Sequence, residues 1–96
     1  MTTSERECLR IEILNFLAIR HSAAFDASQI ANRLRIEQAL GFKITDQEVN
    51  DECGVLVKLG FLSHITELGF EVVPYYQASG KGIIESERWR EKRGLP

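Results

Sequence analysis

Histidine, cysteine and proline are scarce in this 96-residue chain, and so is net positive charge. The two histidines, His21 and His64, stand alone, and no Ser/His/Asp or Cys/His arrangement can be assembled from the spacings. Cys8 and Cys53 lie far apart and in no metal-ligand spacing. They read as unpaired small hydrophobes in a reducing compartment, with Cys53 on the buried side of its helix. Gly80-Lys81-Gly82 lacks the remainder of a phosphate-binding loop. An enzyme is therefore the least favoured class, and no metal or cofactor is expected. His64, within a strand pattern, reads as a half-exposed structural residue rather than a ligand. No run approaches the ~20 apolar residues that cross a bilayer. The acid-bearing N-terminus also has no apolar stretch leading to a small-residue cleavage site. The expectation is a cytoplasmic protein without membrane contact. The missing positive charge bears most directly on function. Lys and Arg number 12 against 14 Asp and Glu, a net charge of −2. A small protein that lives on phosphate contacts is usually basic, so a nucleic-acid surface here has to be a local patch.

What is present describes a folded chain. Hydrophobic residues make up 44% and charged residues 27%, which excludes wholesale disorder. One compact domain is expected over residues 4–93, burying somewhat more than ~60% of the unfolded chain's surface. Residues 1–3 and 94–96 are expected to be short flexible termini. A first helix is predicted over residues 4–20, a stretch without proline or glycine. Leu9, Ile13, Phe16 and Leu17 share one face, with Leu14 at its margin. Cys8, Ile11, Ala18 and Ile19 lie elsewhere, so the apolar surface is wider than a one-sided helix needs. Either the hairpin and the last helix wrap around it, or a second subunit does. Ile11 and Ala18, with Trp89 near the chain end, are the candidate dimer contacts. Phe25 closes the core from the next connection. Asp26 and Gln29 form a capping box for helix 2, whose Ile30, Ala31 and Leu34 face inward. Its polar face carries Asn32, Arg33 and Arg35. This helix either stops early or runs through residues 36–40 to Gly41 at its C′ position. Phe42-Lys43-Ile44 alternates and is a candidate short strand beside the hairpin.

The chain is organised around residues 45–82. Thr45 and Glu48 form a second capping box, and Asp46 adds an acid in the first turn. A third helix follows from Asp46 to about Leu59, with Val49, Cys53 and Leu56 inward and Leu59 or Glu52 at the flank. At about 100° per residue, the opposite side presents Gln47, Asp51, Gly54 and Lys58, with Asn50 and Val55 beside them. Gly60 ends the run. Residues 61–65 and 70–76 read as antiparallel strands, with Gly69 in the turn and the Pro74 nitrogen turned away from the ladder. Pro74 and Tyr76 face one way, Val73 and Tyr75 the other. Ser79 caps a last helix that carries Ile83, Ile84 and Trp89 and ends near Gly94.

The order and spacing of these stretches resemble a winged helix-turn-helix protein of the kind common among prokaryotic transcription regulators. The resemblance rests on Ile13-Leu14-Asn15-Phe16-Leu17 in helix 1 and Asp26-Ala27-Ser28-Gln29-Ile30-Ala31 in helix 2. Helix 3 contributes Thr45-x-x-x-Val49 and Leu56-x-x-Leu59-Gly60-Phe61-Leu62. The junction Tyr76-x-x-Ser79-x-x-Gly82 is similar to the Tyr-x-x-Thr-x-x-Gly step that leaves the second wing strand in such domains. The implied fold is α+β: a three-helix core, a short β-hairpin wing and a C-terminal helix. The resemblance further implies that helix 3 enters the major groove of duplex DNA, with contacts from Gln47, Asn50, Asp51, Gly54 and Lys58. The hairpin tip, residues 66–69, would approach the minor groove or backbone.

This chain departs from that pattern in charge. Helix 3 holds Asp46, Glu48, Asp51 and Glu52 against Lys58, and the wing offers Glu67 and no cation. Docked, it brings carboxylates towards phosphates. Arg33 and Arg35 on helix 2 are the alternative cationic contacts. Two readings follow. One is a small DNA-binding, transcription-regulator-like protein with an atypically acidic helix 3. The other is a winged-helix interaction or dimerisation module whose acidic helix meets a basic protein surface. A homodimer is compatible with both.

Overall fold

Each helix begins where a short polar side chain takes over an orphan backbone N–H. The computed structural model describes residues 1–66 and 73–92. Helix α1 spans Thr3–Ile19, α2 Ala27–Ile36, α3 Asp46–Lys58 and α4 Gly80–Lys92. The boxes at Asp26/Gln29 and Thr45/Glu48 form as predicted, each with reciprocal side chain–backbone bonds. A third box goes beyond the sequence expectation. Thr2 Oγ1 accepts from the Glu5 amide at 3.1 Å while Glu5 accepts from the Thr2 amide at 2.9 Å, so α1 starts at Thr3 rather than Ser4. No helix among the described residues is long and apolar enough to cross a membrane.

The ends of α2 and α3 share one design. Beyond α3, the amide of Gly60 donates to Val57 O (2.9 Å) and that of Phe61 to Leu56 O (3.0 Å), a Schellman closure with Gly60 at φ 83°. Beyond α2, Gln38 donates to Arg35 O (3.2 Å) and Ala39 to Leu34 O (3.1 Å). The left-handed position there is Gln38, at φ 52°, not Gly41. A β-carbon in that conformation costs on the order of 1 kcal/mol. The closure still places Leu34, 2% exposed, beneath the half-buried Ala39 of the returning chain, and that burial offsets the strain. Helix α2 therefore stops at Ile36, which is left 74% exposed.

Three antiparallel strands, β1 (Phe25–Asp26), β2 (Leu62–Thr66) and β3 (Pro74–Ala78), form a sheet in the order β1-β3-β2. Residues 42–44 do not supply the third strand. Their alternation instead lays a loop on the core, with Phe42 half-buried, Lys43 exposed and Ile44 buried. The added strand is the entry to α2. The extended backbone that makes Asp26 a cap (φ −83°, ψ 169°) also holds residues 25–26 in β geometry beside Tyr75 and Tyr76. Pro74 stands at the first position of β3, where a missing N–H does least harm. Tyr76 and Ala78 turn inward, as the predicted alternation requires. The predicted faces of residues 70–72, the Gly69 turn and the helix end near Gly94 lie outside the described residues, as do residues 94–96.

The core gathers Leu9, Ile13, Phe16 and Leu17 of α1, Ile30, Ala31 and Leu34 of α2, and Val49, Cys53 and Leu56 of α3. Leu14, placed at the margin of the stripe by sequence, is fully buried because α4 lies across it. Ala18 is also buried, in the same core. Ser79 starts α4: its Oγ accepts from the Gly82 amide at 3.0 Å and donates to Gly60 O at 2.6 Å, tying α4 to the exit of α3. Ser86, fully buried, donates to Asn15 of α1 at 2.6 Å. Trp89 meets Phe61 edge-on, with ring centroids 5.9 Å apart. Ile84 is the outward member of the predicted apolar set, 55% exposed.

Candidate nucleic-acid interface

The candidate surface is the side of α3 turned away from the core. Val49, Cys53 and Leu56 anchor the helix inward, which leaves Gln47, Asp51 and Lys58 exposed and Asn50 and Gly54 half-exposed along one stripe. Two of the polar side chains are already oriented. Gln47 Nε2 donates to Asp51 Oδ1 at 2.8 Å, one turn along the helix. Asn50 Oδ1 accepts the Tyr76 hydroxyl at 2.7 Å, which fastens this face of α3 to the central strand of the sheet. Burial, with Cys53 and Asp51 close by, raises the Tyr76 pKa, so the phenol stays protonated and keeps donating. Burial pushes the Cys53 thiol up to about 12, leaving it inert at neutral pH. Gly54 is the flat point of the stripe: a β-carbon built there meets nothing within 4 Å.

The four acids of α3 have different surroundings. Glu52 is 7% exposed and receives Arg10 Nε from α1 at 2.6 Å, so it points into the protein. Of the two flank residues that sequence left open, Glu52 is therefore the inward one and Leu59 the outward one, 47% exposed. Glu48 closes the Thr45 box through the Thr45 amide at 2.9 Å. Asp46 pairs with Arg35 Nη2 at 3.0 Å, and the same guanidinium reaches Ile44 O and Asn32. Both Asp46 and Arg35 are about half exposed, so the pair adds little stability, but it cancels charge where charge matters. Glu48 and Asp51 have no cationic partner among the described residues, and Asp51 is the more exposed of the two. Of the carboxylates expected towards phosphate, Glu52 is turned inward and Asp46 is paired with Arg35, while Asp51 stays exposed. The cations thin out in the same way, with Arg20 bound to Glu37 and Arg88 to Glu85. Arg33, Lys43 and Lys58 keep exposed charge without a carboxylate partner among the described residues.

Comparison with solved structures decides the fold. The chain superposes on a PadR-like transcription factor from Bacteroides fragilis with a TM-score of 0.79 at 17% identity, over 95% of this chain and 84% of that one. A transcriptional regulator from Clostridium thermocellum matches at 0.73 and 18%, over 98% and 88%. This is a winged helix-turn-helix fold. A third winged helix, Bacillus subtilis PadR in complex with operator DNA, matches at 0.69 and 19%, over 84% of this chain and 46% of PadR. No protein-family model and no curated protein matches the chain.

Within the winged helix, the predicted contacts divide. Gln47, Asn50, Asp51, Gly54 and Lys58 fall on one surface. Arg35 joins them only through Asp46, and Arg33 stands apart in a shallow hollow with Arg20, Phe25, Gln29 and Asn32. The wing tip beyond Thr66 lies outside the described residues. Of the three candidate dimer residues, Ala18 is removed from consideration as an exposed contact. It is 4% exposed, part of the core of a single chain. Ile11 and Trp89 do come together, in a cleft of about 230 Å³ that also includes Arg10, Leu56 and Leu59. Sequence reasoning missed Arg10 and the Tyr76 hydroxyl. Both act across the fold, and the only trace in sequence was the Tyr76-x-x-Ser79-x-x-Gly82 spacing.

Proposed function

We propose that this protein is a non-enzymatic, cytoplasmic regulator that binds duplex DNA by placing α3 in the major groove. The observation that carries this reading is the exposed stripe Gln47–Asn50–Asp51–Gly54–Lys58 on a helix whose other acids are turned inward, paired with Arg35 or engaged in the helix cap. An N-terminal Gln and Asn suit base edges, Lys58 suits phosphate, and Gly54 lets the backbone come close. The fold it shares with PadR, solved in complex with operator DNA, supports duplex DNA as the partner.

Gly54→Ala separates this reading from an interaction module with no DNA. With open space at the β-carbon, the substitution should raise folding stability by about 1 kcal/mol, the ordinary helix-propensity gain. If the helix docks in a groove, the added methyl holds it off, and duplex affinity should fall by about tenfold. Chemical denaturation and titration of a genomic fragment pool at about 50 mM salt read the two effects. A more stable variant with undiminished duplex binding, or a wild type that binds no duplex at low salt, would favour the protein-partner reading.

The cleft that unites Ile11, Leu59 and Trp89 supports a homodimer, because three large apolar side chains there remain partly exposed in the single chain. A two-fold pair reading one DNA face needs its α3 helices about 34 Å apart. Ile11→Glu should convert the dimer to monomer in sedimentation. A wild type that stays monomeric at high micromolar concentration would remove the proposal.

A further inference from the structure

The hydrogen bonds already made by α3 restrict what its surface can read. Adenine is usually recognised by an amide that accepts from N6 and donates to N7 together, which needs both ends of an Asn or Gln. Each amide here has one end already engaged by a neighbouring side chain. Gln47 gives one of its two amide N–H groups to Asp51, and since a carboxylate only accepts, that orientation admits no flipped alternative. Asn50 has its oxygen occupied by the Tyr76 hydroxyl, which leaves its amide nitrogen as the free end. Asp51 has a second carboxylate oxygen and no cation partner among the described residues.

We infer that the Asp51 carboxylate, held by Gln47 through one oxygen, selects the cytosine N4 amino group with its other oxygen, and that the Asn50 amide donates to a guanine O6 or N7 of the neighbouring base pair. This rests on the DNA-binding reading above and assigns its base preference. A C·G pair offers the amino donor in the major groove, and a guanine in the next pair offers the two acceptors. A thymine O4, or a guanine O6 and N7 set opposite Asp51, faces a carboxylate with no proton between them. The carboxylate that weakens non-specific contact with phosphates thus acts as the element that rejects wrong bases. Tyr76 is a positioning residue in this scheme, holding Asn50 from behind.

The test is selection from a random duplex pool with wild type and with Asp51→Asn, an isosteric change at an exposed position. Wild type should enrich a C·G pair at one position of the half-site, and replacing that pair by T·A should weaken binding by about tenfold. Asp51→Asn should bind a non-enriched duplex more tightly than wild type and lose the preference at that pair alone. Tyr76→Phe should relax the position read by Asn50 and leave the C·G position contacted by Asp51 unchanged. Duplex binding without C·G enrichment, or an enrichment that Asp51→Asn leaves intact, overturns this inference and spares the DNA-binding reading. Absence of duplex binding by both proteins overturns that reading, and this inference with it.

Discussion

Gly82→Ala is expected to cost about 3 kcal/mol or more of folding stability, the upper range for overpacking a well-filled core. At Gly82, α4 passes directly over the chain leaving α3. A β-carbon there would fall on the carbonyl oxygen of Phe61, 2.9 Å from its carbonyl carbon and 3.2 Å from Leu14 Cδ1. Two of the three obstacles are backbone, so rotamer changes give no relief and the helix has to move. That movement would pull Ser79 from its bonds to Gly60 O and the Gly82 amide, Trp89 from Phe61, and Ser86 from Asn15. Chemical denaturation should show a large fall in midpoint, in contrast to the gain expected for Gly54→Ala in open space. A loss below about 1 kcal/mol would mean that α4 does not pack this closely.

Arg10→Met should destabilise the protein by about 3 kcal/mol, because it strands a carboxylate. Glu52 is 7% exposed, and Arg10 Nε at 2.6 Å is its ion-pair partner. Methionine keeps much of the apolar stem and removes the charge, so the loss measures an uncompensated ion rather than a cavity. The expected loss sits at the low end for a buried pair because 29% of the Arg10 side chain remains exposed and water can move in. Adding Glu52→Leu should recover most of the loss, since replacing both partners with apolar groups is often neutral. A double-mutant cycle from denaturation midpoints isolates the coupling. A single mutant within about 0.5 kcal/mol of wild type would show that the carboxylate reaches solvent unaided, and the inward assignment of Glu52 would fail.

These two sites differ in how far sequence reached them. The spacing Tyr76-x-x-Ser79-x-x-Gly82 marked a junction, and the structure gives each position a physical role, with a hydroxyl on Asn50, a cap joined to Gly60, and a glycine over Phe61 O. The Arg10–Glu52 pair left no mark, because 42 residues separate its members and either one alone looks like an ordinary solvated charge. Charge counting along α3 misleads for the same reason. It treats the acids as equivalent, whereas one caps the helix, one meets Arg35, one is buried, and Asp51 faces outward with no cation partner among the described residues.

What this sequence determined by itself is local. The capping boxes at Asp26 and Thr45, the Gly60 stop, the Ser79 cap and the inward stripes of α1, α2 and α3 depend on residues three or four positions apart, where helix geometry alone sets who meets whom. Tertiary structure decided the rest. It made a strand of Phe25–Asp26 by supplying β3 as a neighbour, and put Gln38 into a left-handed turn by returning the chain onto the core. It also buried Ala18 in the core and brought Ile11 and Trp89 together. Above all it fixed the chemistry of the α3 surface, through an arginine from α1, an arginine from α2 and a tyrosine from the sheet. Such pairings between distant segments carry no periodicity along the chain; they exist only once packing of the apolar faces has set the distances between helices and sheet.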